Sequence, residues 1–415
     1  MVVTGKATDS GGFPVIGSVG RAAPPVTPAS ARGHTGAVTA IIDSDQHLYE
    51  SRTTWLDHID PGMRDEALRI EDDDLGYAWL TWRGRRLGIA DVQLPGDTAR
   101  IGRHRQRQRA GERAEYAYDE LLPDDYWEPK ARARRLDDFG VDEAVLFPNY
   151  GLLWERRLSE SLPALTANMA AWNRWAATVV AEGDGRLHPV AHLTLRDPEW
   201  LFGQLHELAT AGVRLAMIAP ALVDGRPLSH PDHDHIWSAF VGQGITPCFH
   251  VADQPRVFGD GWYTDPDDAF VPAVESVFLW APPALAVTDL IVNGTLARHP
   301  DLRIGIVELS SIWVPMYLMM LDGGLDFVAT LNGGPVCELE LKPSEYFRRQ
   351  VRVSSFSYEQ PERLRAKSGD LYMCCSDYPH SEGTSTPVTD YEKVDATPGS
   401  DPSLFHDNVA FLFGN

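Results

Sequence analysis

Cysteine is scarce in this chain: Cys248, Cys337, Cys374 and Cys375 are the only four in 415 residues. They show neither Cys-x-x-Cys spacing nor the density of a disulfide framework, so they read as reduced, mostly buried thiols of a cytoplasmic protein. Long apolar runs are missing too, since none approaches the roughly 20 residues that cross a bilayer. Positive charge is in short supply. A formal net charge of -22 argues against nucleic acid or an anionic membrane as a partner. The start of the chain also lacks the continuous apolar segment of a secretory signal. Up to residue 36 it is rich in Gly, Ala, Pro, Ser, Thr and Val without helical or strand periodicity. That predicts a disordered leader over residues 1–36, with an organelle transit peptide as the alternative.

What is present fits an ordinary globular enzyme, 43% hydrophobic and 23% charged. From residue 37 to 415 the pattern reads as one domain organised around residues 41–50, IIDSDQHLYE. If the two isoleucines end a buried strand over residues 38–43, period-two alternation throws Asp43, Asp45 and His47 to one side. Carboxylate and neutral imidazole are ordinary ligands for zinc and its neighbours, and an Asp-x-His pair can grip one ion from a single strand end. A turn in which Asp bonds its own backbone explains the same letters.

An interruption follows over residues 52–130. Within it GYAWLTWRGRRLGIA predicts a hairpin turning at Arg83-Gly84. The basic run RIGRHRQRQRAGER from Arg100 reads as a mobile, solvated loop rather than a substrate-binding patch. An insertion at this point of a barrel would lie over its mouth as a lid.

Apolar strands and amphipathic helices then alternate. Helices are predicted over residues 127–139, 161–182, 198–211, 232–242, 284–299, 313–331 and 361–367. Strands are predicted over residues 143–148, 186–195, 213–220, 245–250, 302–308, 351–355 and 371–377. With the first, that makes eight strands separated by helices, which implies parallel pairing and a closed (β/α)8 TIM barrel. In such a barrel side chains fill the core, and the working groups sit at strand C-terminal ends. Those ends carry Asp45 and His47, Asn149, His250, Glu308, Ser354 with Ser355, and Asp377. Each has a plainer structural explanation, as a packed histidine, a helix N-terminal acid or an Asx-turn. Metal-compatible residues at the ends of strands 1, 5, 6 and 8 together are harder to explain that way. His192 on strand 3 reads as packed or supporting. HPDHDH from His230 reads as the start of a surface helix rather than a chelating run.

With these motifs in place, the sequence resembles the amidohydrolase-related branch of the amidohydrolase superfamily, which contains aminocarboxymuconate semialdehyde decarboxylase and resorcylate-type decarboxylases. The likeness rests on IDSDQH, GITPCFHV, RHPDLRIGIVELSSIWVP and CSDYPHSEG, and spans roughly residues 38–383. It implies one divalent metal ion, zinc first and manganese second, held by Asp45, His47, His250 and Asp377. It implies Asp377 as both ligand and proton shuttle, Glu308 as a second acid or base, and a homodimer acting on a small molecule. His380 is a candidate to orient the substrate or cap its turn, and Asn149 and Trp313 are further candidate substrate contacts.

Two positions depart from the family pattern. Asp45 stands where the first histidine of the strand 1 pair is usual. Glu308 stands where the decarboxylases often carry a histidine, and a carboxylate there must have its pKa raised by burial or nearby negative charge to act as a base. The resemblance therefore implies a carboxy-lyase for an aromatic or unsaturated carboxylic acid. Hydrolysis of an amide, lactone or ester is the alternative, and a non-catalytic binding barrel is a third.

Overall fold

Short aliphatic and β-branched runs form eight parallel strands, hydrogen-bonded in chain order. They are β1 (Ile42–Leu48), β2 (Glu143–Pro148), β3 (Leu187–His192), β4 (Leu215–Met217), β5 (Thr246–His250), β6 (Ile304–Val307), β7 (Val351–Ser355) and β8 (Tyr372–Cys374). The structure is a computed structural model that describes residues 40–264 and 272–414. The expected leader over residues 1–36 lies outside the described residues.

Between β8 and β1 the barrel is closed by individual contacts. Asp377 N–H donates to the Asp45 carbonyl at 2.8 Å and His47 N–H to the Tyr378 carbonyl at 2.7 Å. The Ser44 hydroxyl donates to the Cys374 carbonyl at 2.8 Å. Inside the barrel, Val145, Phe147, Val190, Met217, Cys248 and Met373 form a buried apolar cluster with Val409 and Leu412 of the C-terminal helix. Packing is tight enough that a side chain on Gly305 of β6 would meet Cys248 Sγ at 2.8 Å.

The first strand differs from the sequence expectation. It begins at Ile42 and runs on to Leu48, so Asp45 and His47 lie within it. A register shift between Asp43 and Gln46 breaks strict alternation. Asp43 turns to the seam instead, where its carboxylate accepts from Ser376 N–H, Asp45 N–H and the Gln46 amide.

The helices follow the sequence closely. Leu162–Glu182 starts with the Ser161 hydroxyl accepting from Ala164 N–H and has proline in its first turn. Pro198–Ala211 is capped by Asp197 and ends at Gly212 in the left-handed region. Among the described residues one helix, Val314–Asn332, is long and apolar enough by length and composition to cross a membrane. It connects β6 towards β7, and its Val314, Tyr317, Leu318 and Leu321 are buried in the barrel packing.

The interruption after β1 is ordered. Arg69–Asp72, Ala78–Trp82 and Arg85–Ile89 form an antiparallel sheet, with the hairpin turning at Arg83 and Gly84, both at positive φ. The basic run is a helix, Thr98–Arg109, and not the loop the sequence suggested. Asp97 caps it, and His104 is buried between the rings of Tyr77 and Tyr116 at 4.7 and 4.9 Å. His104 is the one buried residue of a helix that otherwise carries the basic side chains. The segment reaches the C-terminal side of the barrel, where Gly96 N–H donates to the Ser381 carbonyl and Ser381 N–H donates to Gln93 Oε1.

Glu50, just past β1, ties that strand to the turn after β2. Its two buried oxygens accept from Tyr150 and Gly151 N–H, each at 2.8 Å. Burial pushes this carboxyl up from 4.5 to about 7. A raised folded-state pKa means its contribution is full below about pH 4.5 and is lost as pH rises through about 7. Glu50→Gln leaves one N–H without an acceptor, so it should cost about 1–2 kcal/mol at pH 5. That gap should close or reverse by pH 8, as measured by denaturant unfolding at both pH values.

Candidate metal centre

At the C-terminal mouth the strands deliver five polar side chains to one point. Asp45 and His47 come from β1 and His250 ends β5, two residues beyond the inward Cys248. Glu308 follows β6 directly, and Asp377 lies three residues past β8. His47 Nε2 is 3.5 Å from Asp45 Oδ1, 3.3 Å from Asp377 Oδ1 and 3.8 Å from Glu308 Oε2. His250 Nε2 is 3.5 Å from Asp45 Oδ1 and 3.2 Å from Glu308 Oε2. Asp45, His47 and His250 thus gather with Glu308, and Asp377 lies with His47, Glu308 and His380 in an overlapping group.

Both imidazoles are set in one tautomer by backbone carbonyls. His47 Nδ1 faces the Pro148 carbonyl at 3.0 Å and His250 Nδ1 the Val251 carbonyl at 2.8 Å. A carbonyl only accepts, so the proton sits on Nδ1 and the Nε2 lone pair points into the cluster. Those Nε2 atoms, both Asp45 oxygens, Asp377 Oδ2 and Glu308 Oε2 are buried without a hydrogen-bond partner. Orphaned buried acceptors are costly, and so many aimed at one another fit a cation. Oxygen and imidazole donors suit zinc or manganese.

Backbone geometry is spent on this arrangement. Glu308 and Asp377 adopt φ of 51° and 56°, a left-handed conformation that costs a non-glycine residue about 1 kcal/mol or more. The Ser354 hydroxyl accepts from Glu308 N–H at 2.9 Å, and the Asp45 carbonyl accepts from Asp377 N–H. The loop after Asp377 folds back so closely that a side chain on Gly383 would meet the Asp377 carbonyl oxygen at 2.3 Å.

The electrostatics follow from burial and crowding. Burial and then Asp377 hold the carboxyls of Asp45 and Glu308 well above the usual range. Burial holds His47 well below its usual value, and lowers His250 to about 4. His380 goes the other way. Burial disfavours its charge, but Asp377, Glu308 and Glu382 outweigh burial and raise it to about 10. Its ring stacks on His47 at 3.8 Å, with Nδ1 2.8 Å from Asp377 Oδ1 and Nε2 2.9 Å from Asn149 Oδ1. Two acceptors on two ring nitrogens match an imidazolium, so His380 and Asn149 both sit at the cluster.

Trp313 is not brought to it. Its indole donates to the Leu309 and Ser310 carbonyls, and its ring packs against Trp280, Tyr317 and Phe347. His192 pairs with Glu155 at 3.1 Å. His230 accepts from Asp232 N–H, and His233 faces the Pro227 carbonyl. Neither joins a metal-competent group among the described residues. Of three supporting residues, Arg132 and Glu359 carried no sequence signal, and Asp43 was expected beside Asp45 and His47 rather than at the seam. Asp43 clamps the seam, Arg132 donates to the His47 carbonyl and Gln46 from beneath, and Glu359 gathers Ser310, Ser311 and Phe356 beside Glu308. Each acts through backbone groups, which leave no pattern in residue type.

Purified protein should carry close to one divalent ion per chain by elemental analysis. His47→Ala and His250→Ala should each lose it, and loading should weaken as pH falls and the carboxylates take up protons. Stoichiometric metal in both variants would defeat this assignment.

No family model matches the sequence, and no curated protein is significantly similar to it. Solved structures do match. An amidohydrolase from Mycobacterium avium subsp. paratuberculosis K-10 superposes with a TM-score of 0.73 at 20% identity, over 91% of this chain and 100% of that one. A 5-carboxyvanillate decarboxylase from Novosphingobium aromaticivorans, complexed with manganese and 4-hydroxy-3-methoxy-5-nitrobenzoic acid, gives 0.60 at 18% identity over 91% and 96%. A 2,6-dihydroxybenzoate decarboxylase from Rhizobium gives 0.54 at 15% identity over 91% and 99%. The chain therefore has the barrel fold of these amidohydrolase and decarboxylase structures.

Proposed function

We propose that this protein is a metal-dependent enzyme of the amidohydrolase superfamily that removes carbon dioxide from an aromatic or unsaturated carboxylic acid. The observation that carries the metal-dependent reading is the convergence of unpartnered, buried donor atoms from Asp45, His47, His250, Glu308 and Asp377. The choice of a carboxy-lyase is supported by the sequence resemblance and by the likeness to solved decarboxylases. Zinc and manganese both suit the donor set, and the Novosphingobium enzyme holds manganese. When bound, the ion supplies Lewis acidity at a substrate oxygen and offsets the clustered carboxylates.

The chain's own groups account for the proton. Loss of carbon dioxide leaves the bonding pair on the substrate carbon, which must take up one proton. Asp377 is the shuttle, and the His380 imidazolium 2.8 Å away resupplies it. Asn149 fixes the far side of that ring. Glu308, 3.2 Å from His250 Nε2, shapes the charge around the substrate. The insertion moored at Ser381 walls the mouth and limits water.

One observation favours a second reading, hydrolysis of an amide, lactone or ester. The acidic groups acting on Asp45 are Asp377, Asp43 and Glu382 and those acting on Glu308 are Asp377, Asp45 and Glu382, with His380 the one cation acting on both. Such a mouth suits a neutral substrate, and Glu308 can serve there as the base for attacking water.

A panel of aromatic and unsaturated acids assayed for carbon dioxide, beside one of esters and amides, identifies the reaction. On the substrate so found, Asp377→Asn should lower turnover by about a hundredfold or more. Near-normal turnover would end both readings. Glu308→Gln should be mild if carbon dioxide is released and severe if water is the nucleophile.

A further inference from the structure

Arg132, on the helix Pro129–Phe139 that leads into β2, is a fully buried cation. The groups it bonds are uncharged. Nε donates to the Asp125 carbonyl at 2.7 Å, Nη1 to Gln46 Oε1 at 3.2 Å and Nη2 to the His47 carbonyl at 2.8 Å. The guanidinium also lies over the Tyr378 ring, 5.0 Å from its centroid. Burying a charge with no opposite charge bonded to it is costly, and an apolar side chain would fill the space without that cost. The position therefore needs what the charge supplies. That is a set of directed bonds in one plane, each stronger than its neutral counterpart.

Two of those bonds and the ring contact fall on the seam between β1 and β8. Among the described residues, strand-type pairing across the seam is one isolated bridge, Gln46 to Tyr378. Side chains must do what a ladder does elsewhere. Gln46 passes the clamp on by donating to Asp43 Oδ2 at 2.8 Å, and Asp43 Oδ1 accepts from Ser376 N–H at 3.0 Å. The Tyr378 hydroxyl donates to Asp125 Oδ2 at 2.7 Å, so Asp125 serves both Arg132 and Tyr378. Arg132 thus grips residues 46 and 47 on one side of the seam, and 376 and 378 on the other. Those pairs flank or contain His47 and Asp377, whose Nε2 and Oδ1 are 3.3 Å apart.

We propose that Arg132 is a positioning residue for the metal centre, fixing the separation of His47 and Asp377 before an ion binds. The proposal rests on the metal-dependent reading of the cluster. A general stabilising role would be shared by Arg186, which supplies the control. Arg186 donates to the carbonyls of Asp142, Ala133 and Val141, at the start of β2 and away from the mouth.

Competition with a fluorescent chelator measures the affinity of the full chain for manganese(II) and zinc(II). Arg132→Met should weaken it by about 10–100-fold, as loss of a group supporting a metal ligand commonly does. Arg186→Met should leave metal affinity unchanged, although both changes should lower the melting temperature of the metal-free protein. Arg132→Lys keeps the charge but loses the planar fork, so its affinity should fall between those of wild type and Arg132→Met. It carries the test if Arg132→Met fails to fold. Wild-type affinity in the Arg132 variants, or an equal loss in Arg186→Met, would overturn the positioning role and leave the metal centre standing. A wild type that binds neither ion would end the metal-dependent reading, and this proposal with it.

Discussion

Crowded negative charge at the barrel mouth is the constraint on which the rest of this structure turns. Asp45, Glu308 and Asp377 face one another with His380 as the nearby cation. Two like charges about 4 Å apart repel by about 4 kcal/mol even at an effective dielectric constant of 20. No fold accumulates that by accident. Left-handed backbone at Glu308 and Asp377, and carbonyls that strip one imidazole nitrogen each of its freedom, all add to the cost. Each makes sense once a cation is counted among the cluster's partners.

The same residues close the barrel. Asp377 donates its N–H to the carbonyl of Asp45, across more than 330 residues of sequence, while the side chains of both point at the cluster. An ion held there would cross-link the first strand to the last, at the one place where the ladder is made of single contacts. Binding energy for the ion is then folding energy for the seam, since a ligand that binds only the native state stabilises it by mass action. Asp43 matters for the same reason, because its clamp on Ser376 positions the β8 end before any ion arrives.

Much of this was legible in the sequence because two periodicities carried it. Apolar runs alternating with capped helices give eight parallel strands, and the barrel rule then points to strand C-terminal ends, where His250, Glu308 and Asp377 stand. What was not legible depended on partners that have no letter of their own. The register shift in β1 turned Asp43 away from Asp45 and His47. His104 converted a basic run into a helix by finding Tyr77 and Tyr116, and Trp313 found Trp280 rather than the mouth. A charge pattern says nothing about which single side chain turns inward.

Charge balance also separates the two reactions by their products. With a divalent ion in place, three carboxylates and the His380 imidazolium sum to neutrality. A substrate carboxylate entering that site makes it negative, and departure of neutral carbon dioxide followed by proton uptake restores the balance. The ground state is then the strained one, and the strain is released in the bond-breaking step. Hydrolysis of a neutral ester or amide runs in reverse: the site is balanced with substrate bound and becomes negative when the acid product forms. Repulsion then falls on product and speeds its release rather than the chemistry. A substrate-like carboxylic acid that cannot react should accordingly bind only through the ion in a carboxy-lyase, and should be a weak product inhibitor in a hydrolase.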